Sequence, residues 1–471
     1  MSNIQQQDAS LKFVTLISIV AAIGGLLFGF DTAVVSGAIG FMGDRFSLTD
    51  FQVGWAVSSL IVGCVVGAAF AGVLSDKFGR KRVLIGAALL FIVSCIGSAL
   101  PDSFNTYILF RIIGGLGIGL TSTLCPLYNA EIAPARYRGR LVALNQLATV
   151  TGIFLVYFVN LWISNSGEHA WQVEYAWRWM FGVGAIPGII FLIALLFVPE
   201  SPRWLMKQGH REQAFTILNR IHGSELAKLE VDDIEQSFKQ KKGSFRELFQ
   251  SPTLKAALIV GVVLAVMQQF TGINAVMYYA PEIFKQAGAG TNAALVQTIL
   301  IGFINFVFTI VAIWLIDKVG RKQLLMVGSA GMAISLIVIS FAFNAAETNS
   351  TLLLVFLLIY VASFAVSLGP VVWVIMSEIF PNHVRGIATA IGSMSLWIAD
   401  YIVSQSFPSL LASIGSSATF AAFAVLSLFT FFFTWKKVPE TKDVPLEQIE
   451  TLWQDNLSAR TLQPVEYEQA R

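Results

Sequence analysis

The sequence predicts an all-α integral membrane protein with twelve transmembrane helices arranged as two similar halves. Its composition, a series of long apolar runs and an internal repeat all point to this fold class. Of its 471 residues, 55% are hydrophobic and only 13% are charged, whereas soluble globular chains carry about 25% charged residues. The mean hydropathy is +0.70. This composition indicates a chain that crosses a membrane many times.

Twelve apolar runs are each near the roughly 20 residues that a helix needs to span the hydrocarbon layer. They cover residues 13–39, 51–73, 83–100, 105–127, 141–163, 178–198, 254–284, 293–316, 324–343, 352–376, 386–412 and 417–435. The first run is too long for the core of a signal peptide and lacks a clear cleavage site, so we interpret it as the first span.

A polar segment separates the sixth run from the seventh. Residues 201–250 contain nine Lys or Arg and seven Asp or Glu, with apolar residues near helical spacing, which predicts short amphipathic helices on the membrane surface. We therefore predict an N-terminal six-helix half (1–200), a cytoplasmic helical linker (201–250), a C-terminal six-helix half (251–435) and a cytoplasmic tail (436–471).

The distribution of basic residues predicts the orientation of the chain. Lys and Arg concentrate in the second and fourth connections, in the linker and in the corresponding later connections, while the opposite connections are nearly free of them. Because basic loops stay on the cytoplasmic side, we expect a multi-pass protein of the cell membrane with both termini in the cytoplasm.

Three short motifs occur twice at nearly one offset. They are DKFGRKR and DKVGRKQ at 76–82 and 317–323, EIAPARYRG and EIFPNHVRG at 131–139 and 378–386, and Pro-Glu at 199–200 and 439–440. The offsets lie between 240 and 247 positions. The two halves are therefore duplicates, and such a pseudo-twofold relation is how many transporters build a site near the membrane midplane.

The repeated motifs bring acidic and basic residues together in the connections, where we expect them to pair and to form a cytoplasmic gate. The candidates are Asp76, Arg80, Glu131, Arg138, Glu200, Arg203, Asp317, Arg321, Glu378 and Arg385. Individual exposed ion pairs are weak, at about 0–1 kcal/mol, but a network between the halves can close one face. The alternative is that the basic loops only fix the orientation of the chain.

One polar stretch interrupts an apolar run. Residues 268–279 read QQFTGINAVMYY, and in hydrocarbon such amide groups must face protein, water or a bound polar molecule. An unwound turn near Gly272 would bring Gln269 and Asn274 together, as in the broken helices that hold the substrate of transporters. Hydrogen bonding between helices is the alternative.

Motifs along nearly the whole chain resemble those of the sugar porters of the major facilitator superfamily, such as the bacterial xylose– and glucose–proton symporters and the glucose facilitators. They are LLFGFDTAVVSG at 26–37, DKFGRKR, FRIIGGLGIG at 110–119, EIAPARYRGRL at 131–141, PESPRWL at 199–205, QQFTGINAVMYYAPEIF at 268–284, DKVGRKQ, GPVVWVIMSEIFP at 369–381 and PET at 439–441. The resemblance implies the major facilitator fold and transport of a monosaccharide by alternating access, in a protein that functions as a monomer.

The resemblance also implies roles for individual residues. Asp31 is an acidic residue inside a span, and because burying a charge in a membrane is costly, we expect it to be functional. The resemblance implies that Asp31 and Arg111 form the proton-coupling pair, and a purely structural pair is the alternative. The substrate-binding residues it implies are Gln146, Gln268, Gln269, Asn274, Tyr278, Asn305, Trp373 and Trp397. Two positions depart from the xylose-symporter pattern, with Leu396 in place of Gln and Asp400 in place of Asn.

We therefore expect a sugar–proton symporter that imports a hexose, with glucose as the first choice. A pentose such as xylose, a sugar uniporter and a non-transporting sugar sensor are the alternatives. The sequence contains no nucleophile–base set, metal cluster or phosphate loop, so we expect no enzyme, cofactor or metal. The net charge of +2 argues against a nucleic-acid partner, and the three cysteines lie in apolar runs rather than in a disulfide framework.

Overall fold

A computed structural model gives the positions of most of the chain. It describes residues 2–134, 138–237, 244–345, 349–381, 383–442, 449 and 453, and within these ranges the side chains of residues 2–11, 138, 140, 222 and 237 lie outside the description.

Six long helices form the first part of the chain. They are α1 (Ser2–Phe46), α2 (Asp50–Phe78), α3 (Arg80–Ala99), α4 (Phe104–Ile132), α5 (Arg138–Ser164) and α6 (His169–Phe197). A π-helical turn at Gln172–Ala176 interrupts α6 near its beginning.

Four helices form the linker, and seven form the second part of the chain. The linker helices are α7 (Pro202–Lys207), α8 (Arg211–His222), α9 (Ser224–Ser237) and α10 (Glu247–Gln250). The helices of the second part are α11 (Pro252–Phe270), α12 (Ile273–Gln286), α13 (Thr291–Val319), α14 (Arg321–Asn344), α15 (Ser350–Ala365), α16 (Leu368–Glu378) and α17 (Arg385–Lys437).

The helices of the second part account for six spans. α11 and α12 together make one apolar stretch, and α15 and α16 together make another. α17 has 53 residues, which as one straight helix would measure about 80 Å, more than twice the thickness of the hydrocarbon layer. Its helical dihedral angles break at Gly415, where φ is 80°. The prediction of twelve spans is therefore confirmed.

Local signals in the sequence determine where several helices begin. α2 starts with a capping box, in which the Thr49 backbone N–H donates to Gln52 Oε1 at 3.0 Å and the Gln52 backbone N–H donates to Thr49 Oγ1 at 3.4 Å. α7 and α11 each start with a serine whose hydroxyl accepts a backbone N–H, followed by proline. Both patterns satisfy the free N–H groups of a first helical turn.

The linker forms the short amphipathic helices that the sequence predicts. Leu218, Ala227 and Val231 are buried where α8 packs on α9, and Met206, Phe215 and Ile234 pack against them. In addition, the Arg220 guanidinium lies 3.9 Å from the centre of the Phe13 ring, which joins α8 to the beginning of α1. This distance is within the range of a cation–π interaction.

Large apolar side chains on the spanning helices are exposed, as expected for a surface that contacts lipid. Phe70 on α2, Trp162 on α5 and Phe341 on α14 are 57%, 71% and 70% exposed. An apolar exposed surface repeated along many long apolar helices belongs in a bilayer rather than in water. The chain is therefore a multi-pass membrane protein.

The chain divides into two compact units that differ from the two sequence halves. The first unit contains residues 1–240, 275–306 and 404–412, and the second contains residues 241–274, 307–403 and 413–471. The first boundary inside a span falls directly after Asn274, next to the break between α11 and α12. The division into two six-helix halves at the predicted boundaries stays a prediction, because it rests on the sequence repeat.

Hydrogen bonds inside the first unit join segments that are distant in sequence. The Tyr157 hydroxyl on α5 donates to the Met277 carbonyl oxygen on α12 at 2.8 Å. The Tyr279 hydroxyl donates to the Ser404 carbonyl oxygen on α17 at 2.9 Å. Both tyrosines are buried, so these bonds satisfy polar groups that have left water.

Gly320, between α13 and α14, supports a prediction on stability. Its φ is 99°, and a Cβ atom there would lie 2.7 Å from Glu440 Oε2. Because the backbone conformation at Gly320 is accessible almost only to glycine, we expect Gly320→Ala to lower the free energy of unfolding by about 1–3 kcal/mol. Thermal unfolding in detergent measures this as a decrease in Tm.

Gly386→Ala is the matched control, since a Cβ at Gly386 meets nothing within 4 Å. Equal Tm values for the two variants would contradict the account of Gly320.

Candidate functional site

The polar stretch in the seventh span is a broken helix. α11 ends at Phe270 and α12 begins at Ile273, and Gly272 between them has φ 92°. A Cβ at Gly272 would lie 2.5 Å from Cδ2 of Phe423, so glycine is required here for both its backbone conformation and its size. The predicted unwound turn is confirmed.

Three amide side chains form a chain of hydrogen bonds across this break. The Asn274 side-chain amide donates to Gln269 Oε1 at 2.8 Å, and the Gln269 amide donates to Gln268 Oε1 at 3.3 Å. The Gln268 amide donates in turn to the carbonyl oxygens of Leu368 and Gly369, at 2.7 and 3.1 Å. The turn at Gly272 therefore brings Gln269 and Asn274 together as expected.

The Gln268 amide connects this break to a second broken span. α15 ends at Ala365 and α16 begins at Leu368, and these carbonyl oxygens lie in the first turn of the new helix beside Pro370. Both amide hydrogens of Gln268 are used by these carbonyls, so Gln268 links the two breaks and keeps only acceptor capacity for a ligand. Asn274, which is half-buried, retains an amide hydrogen and its oxygen.

Two further polar residues support the break, and the sequence reasoning missed both. The Thr271 hydroxyl donates to the Gln268 carbonyl oxygen at 3.0 Å, and the Tyr360 hydroxyl donates to the Thr271 carbonyl oxygen at 2.9 Å. Tyr360 is fully buried. A single tyrosine within the apolar run of α15 was the available signal, because a buried phenol usually needs a hydrogen-bond partner.

The remaining predicted substrate-binding residues belong to both units. In the first unit, Gln146 on α5 is half-buried, while Tyr278 on α12 and Asn305 on α13 are 5% exposed. In the second unit, Trp373 on α16 is 40% exposed and Trp397 on α17 is buried. Of the predicted substrate-binding residues, Gln268, Gln269 and Asn274 are the three that the hydrogen bonds at the break join to one another.

The two positions that depart from the xylose-symporter pattern lie on α17. Leu396 is 4% exposed and Asp400 is 1% exposed. A second buried acidic residue therefore exists in the spans, one helical turn from Trp397.

The predicted pair of Asp31 and Arg111 is present and buried. Arg111 Nη1 donates to Asp31 Oδ1 at 2.6 Å, and Nη2 donates to the Asp31 backbone carbonyl at 3.1 Å. The exposed fractions of the two residues are 2% and 1%. Within the described part of the chain, Asp31 Oδ2 and Arg111 Nε are buried without a hydrogen-bond partner. The contact therefore uses the two terminal nitrogens of Arg111 and, on Asp31, Oδ1 and the backbone carbonyl oxygen.

Small residues let the helices around this pair approach closely. A Cβ at Gly29 on α1 would lie 1.9 Å from the Thr149 carbonyl oxygen on α5, and a Cβ at Gly115 on α4 would lie 2.0 Å from the Leu60 carbonyl oxygen on α2. Such contacts between backbones are the usual way in which transmembrane helices pack. They hold α1 against α5 and α4 against α2, and α4 meets α1 at Gly114, where a Cβ would lie 3.7 Å from Asp31 Oδ2.

The first DK-x-GRK motif forms an ion-pair network within the first unit. Both Arg80 Nε and Arg80 Nη2 donate to the Glu131 carboxylate, each at 2.9 Å, and Nη1 donates to Asp76 Oδ1 at 3.2 Å. Glu200 accepts the backbone N–H groups of Arg80, at 2.9 Å, and of Lys81. The glutamate thus completes the first turn of α3, as an anion at a helix N-terminus does.

The second motif repeats this geometry within the second unit. Arg321 donates from Nε and Nη2 to Glu378, at 3.2 and 2.9 Å, and from Nη2 to Asp317 Oδ1 at 3.2 Å. Glu440 accepts the backbone N–H of Arg321 at 2.9 Å, and Thr441 donates to Glu378 Oε2 at 2.5 Å. The sequence repeat is therefore also a repeat of side-chain contacts.

Three other gate candidates do not occur among the contacts described for these two networks. Arg203 is exposed on α7, and the Arg385 guanidinium donates to the Phe380 carbonyl oxygen from Nε and Nη2. The side chain of Arg138 lies outside the described residues. Each ion pair described for the two DK-x-GRK motifs joins residues of the same unit. The expected network between halves therefore stays a prediction.

The different exposure of the two networks leads to a prediction. The side chains of Arg80 and Glu131 are 9% and 5% exposed, whereas those of Arg321 and Glu378 are 12% and 20% exposed. Removing one partner of a buried pair leaves an uncompensated charge, which costs about 3–5 kcal/mol. Arg80→Ala should therefore lower Tm in detergent more than Arg321→Ala.

Arg211→Ala serves as the control, because its partners Asp232 and Glu235 are about half exposed and such pairs are worth about 0–1 kcal/mol. A larger loss of Tm for Arg321→Ala than for Arg80→Ala would refute this ranking.

Comparisons with known proteins agree with this architecture. A family model described as Sugar (and other) transporter matches residues 17–453. The arabinose-proton symporter of Bacillus subtilis is 48% identical over 445 residues, which are 94% of this chain and 96% of that protein. The D-xylose-proton symporter of Escherichia coli is 42% identical over 475 residues, covering 94% of this chain and 96% of that protein.

A solved structure shares the fold. The inward open conformation of the xylose transporter XylE from E. coli superposes with a TM-score of 0.83 at 40% identity, and the match covers 94% of this chain and 100% of that one. These relatives are transporters rather than enzymes. The chain belongs to the sugar transporter family and has the twelve-helix fold of the major facilitator superfamily.

Proposed function

We propose that this protein is a sugar–proton symporter that imports a pentose by alternating access. The observation that carries the proposal is the buried pair of Asp31 and Arg111, whose ionisation state can change with one proton. The printed functions of the relatives from B. subtilis and E. coli, arabinose– and xylose–proton symport, support the same coupling.

The relatives favour a pentose over the glucose that the sequence reasoning put first. A D-xylose transporter of Levilactobacillus brevis is 41% identical, while a glucose transport protein of Synechocystis is 38% identical. We therefore propose arabinose and xylose as the first candidate substrates. Leu396 offers no hydrogen bond where the xylose-symporter pattern has Gln, which makes arabinose the first of the two to test.

For the sugar site we propose the amide cluster at the break between α11 and α12, together with the other predicted residues. Gln269 and Asn274 retain hydrogen-bonding capacity that suits sugar hydroxyls, and Trp373 offers an aromatic face. Gln146, Tyr278, Asn305 and Trp397 complete the proposed site on the basis of the family pattern, and Gln268 supports it by holding the break.

For the proton we propose that Asp31 is the carrier. In the ionised form it neutralises Arg111, and in the protonated form it releases the guanidinium, which changes the relative free energy of the outward- and inward-facing states. The two DK-x-GRK motifs are proposed to fix the cytoplasmic ends of the helices that they join. The protein is proposed to act as a monomer in the cell membrane with both termini in the cytoplasm.

Asp31→Asn tests the coupling. Asparagine keeps the shape of the side chain but cannot ionise, so in proteoliposomes with an imposed pH gradient the variant should lose accumulation of labelled arabinose or xylose. Exchange of sugar at equal concentrations should remain, because exchange needs no net proton movement.

Asp102→Asn is the matched control, since Asp102 pairs with Arg178 and its side chain is 83% exposed. Uphill accumulation that persists in Asp31→Asn would contradict the proposed carrier, and a wild-type protein that equilibrates the sugar without accumulating it would make the protein a uniporter.

Gln269→Ala tests the sugar site. The change leaves Asn274 and a sugar hydroxyl without a buried partner, so binding of the pentose should weaken by about 1–3 kcal/mol, which is about 5- to 150-fold in Kd. Calorimetric titration of the purified protein measures the effect. Gln213→Ala, at an exposed position of α8, should leave Kd unchanged, and an equal Kd for Gln269→Ala would remove Gln269 from the site.

A further inference from the structure

Arg111 loses its ion-pair partner whenever Asp31 takes up a proton. The guanidinium is 1% exposed, and its ion pair with Asp31 Oδ1 is lost when the carboxylate becomes neutral. The backbone carbonyl of Asp31 remains as an acceptor for Nη2, and among the described residues Nε has no hydrogen-bond partner. A buried cation without compensation is costly in a membrane, so the protonated state needs another source of stabilisation.

The side chain of Phe181 on α6 lies where it can stabilise the Arg111 cation. The Arg111 guanidinium carbon is 5.0 Å from the centre of the Phe181 ring, within the roughly 6 Å over which a ring attracts a cation. Phe181 is 2% exposed. Water is therefore excluded, and the attraction is stronger than at an exposed site.

A second aromatic residue fixes the orientation of that ring. Tyr107 packs edge-on against Phe181, with ring centres 5.3 Å apart. The Tyr107 hydroxyl donates to the Ala56 carbonyl oxygen on α2 at 3.3 Å, which holds the tyrosine itself. The Phe181 ring thus stays beside Arg111 independently of the charge on Asp31.

We propose that Phe181 is a positioning residue for proton coupling, which holds the Arg111 cation when Asp31 is protonated. The proposal rests on the proposed symport function. The ring attracts Arg111 in both states, but it matters more in the protonated state, where the carboxylate no longer compensates the cation. Phe181 therefore favours proton uptake by the pair.

The groups that can titrate near Arg111 come from three helices. They are Asp31 on α1, Cys95 on α3 and Tyr107 on α4. A thiol and a phenol are ordinarily uncharged at neutral pH, so Asp31 carries the pH dependence. On α6 the nearest charged residue in sequence is Arg178, which pairs with Asp102 at 2.7 Å.

The direction of the expected effect follows from the relative stability of the two states. Phe181→Leu removes the ring and destabilises the protonated state more than the ion pair, so a lower pH is needed to protonate Asp31. The midpoint of the pH dependence of sugar uptake, with equal pH on both sides of the proteoliposome membrane, should move down by about 0.5–1 unit. This corresponds to a loss of about 3- to 10-fold in proton affinity.

Phe191→Leu on the same helix is the matched control. Phe191 is fully buried and its ring lies beside Gly24 on α1, so its loss alters packing while the midpoint should stay at the wild-type value. A wild-type protein whose uptake of arabinose and xylose is independent of pH would argue against the symport function itself. A coupled wild type with the same midpoint in Phe181→Leu would overturn only the role of Phe181.

Incorporation of mono-, di- and trifluorinated phenylalanine at position 181 keeps the test valid if Phe181→Leu does not fold. Each fluorine weakens the negative face of the ring with little change of shape. The midpoint should decrease stepwise with the number of fluorine atoms, and an unchanged midpoint through the series would overturn the proposal.

Discussion

Polar groups inside the spans must find partners within the protein, and this constraint explains the arrangement of the candidate site. Hydrocarbon offers no hydrogen bonds, so each unsatisfied amide or carbonyl costs several kcal/mol. The break at Gly272 frees backbone groups, as does the break before Leu368. The Gln268 amide finds acceptors in the Leu368 and Gly369 carbonyl oxygens, just after the second break, and Tyr360 donates to the Thr271 carbonyl oxygen, which the end of α11 leaves free. Irregular backbone is thus tolerated because specific side chains compensate it.

The same constraint applies to the buried Asp31–Arg111 pair. An ion pair this deeply buried contributes little net stability over an apolar alternative, so we propose a role in proton coupling instead. On this proposal, protonation of Asp31 leaves Arg111 with the Asp31 carbonyl and the Phe181 ring. An exposed pair such as Arg211 with Asp232 has no comparable role, because such pairs contribute little free energy.

The two copies of the DK-x-GRK motif show how one sequence pattern produces the same local geometry twice. In each, an arginine pairs with a glutamate from a following helix, and a second glutamate accepts the backbone N–H of that arginine at 2.9 Å. Gly79 and Gly320 have φ values of 92° and 99°. The copies differ in detail, because Asp76 also binds Lys207, whereas Glu378 accepts from Thr441.

Much of the fold and part of the site could be predicted from the sequence. Apolar runs of the right length gave twelve spans, Gly272 within a polar stretch gave the broken helix, and the Asp31–Arg111 pair followed from the family pattern. The double use of the Gln268 amide could not be predicted, since its partners lie about a hundred residues away.

The position of Phe181 beside Arg111 could not be predicted from the sequence either. A phenylalanine that contacts a buried cation and one that only packs look the same within an apolar span. The motifs do not distinguish a hexose from a pentose, and the relatives favour the pentose.

Sugar-induced proton movement tests the central claim, proton-coupled uptake of a pentose, most directly. Arabinose or xylose is added to de-energised cells that produce the protein in a weakly buffered medium, and the external pH is recorded. The account predicts an immediate alkalinisation as protons enter with the sugar, and none with Asp31→Asn. Uptake of the labelled pentose without any change in external pH would contradict it.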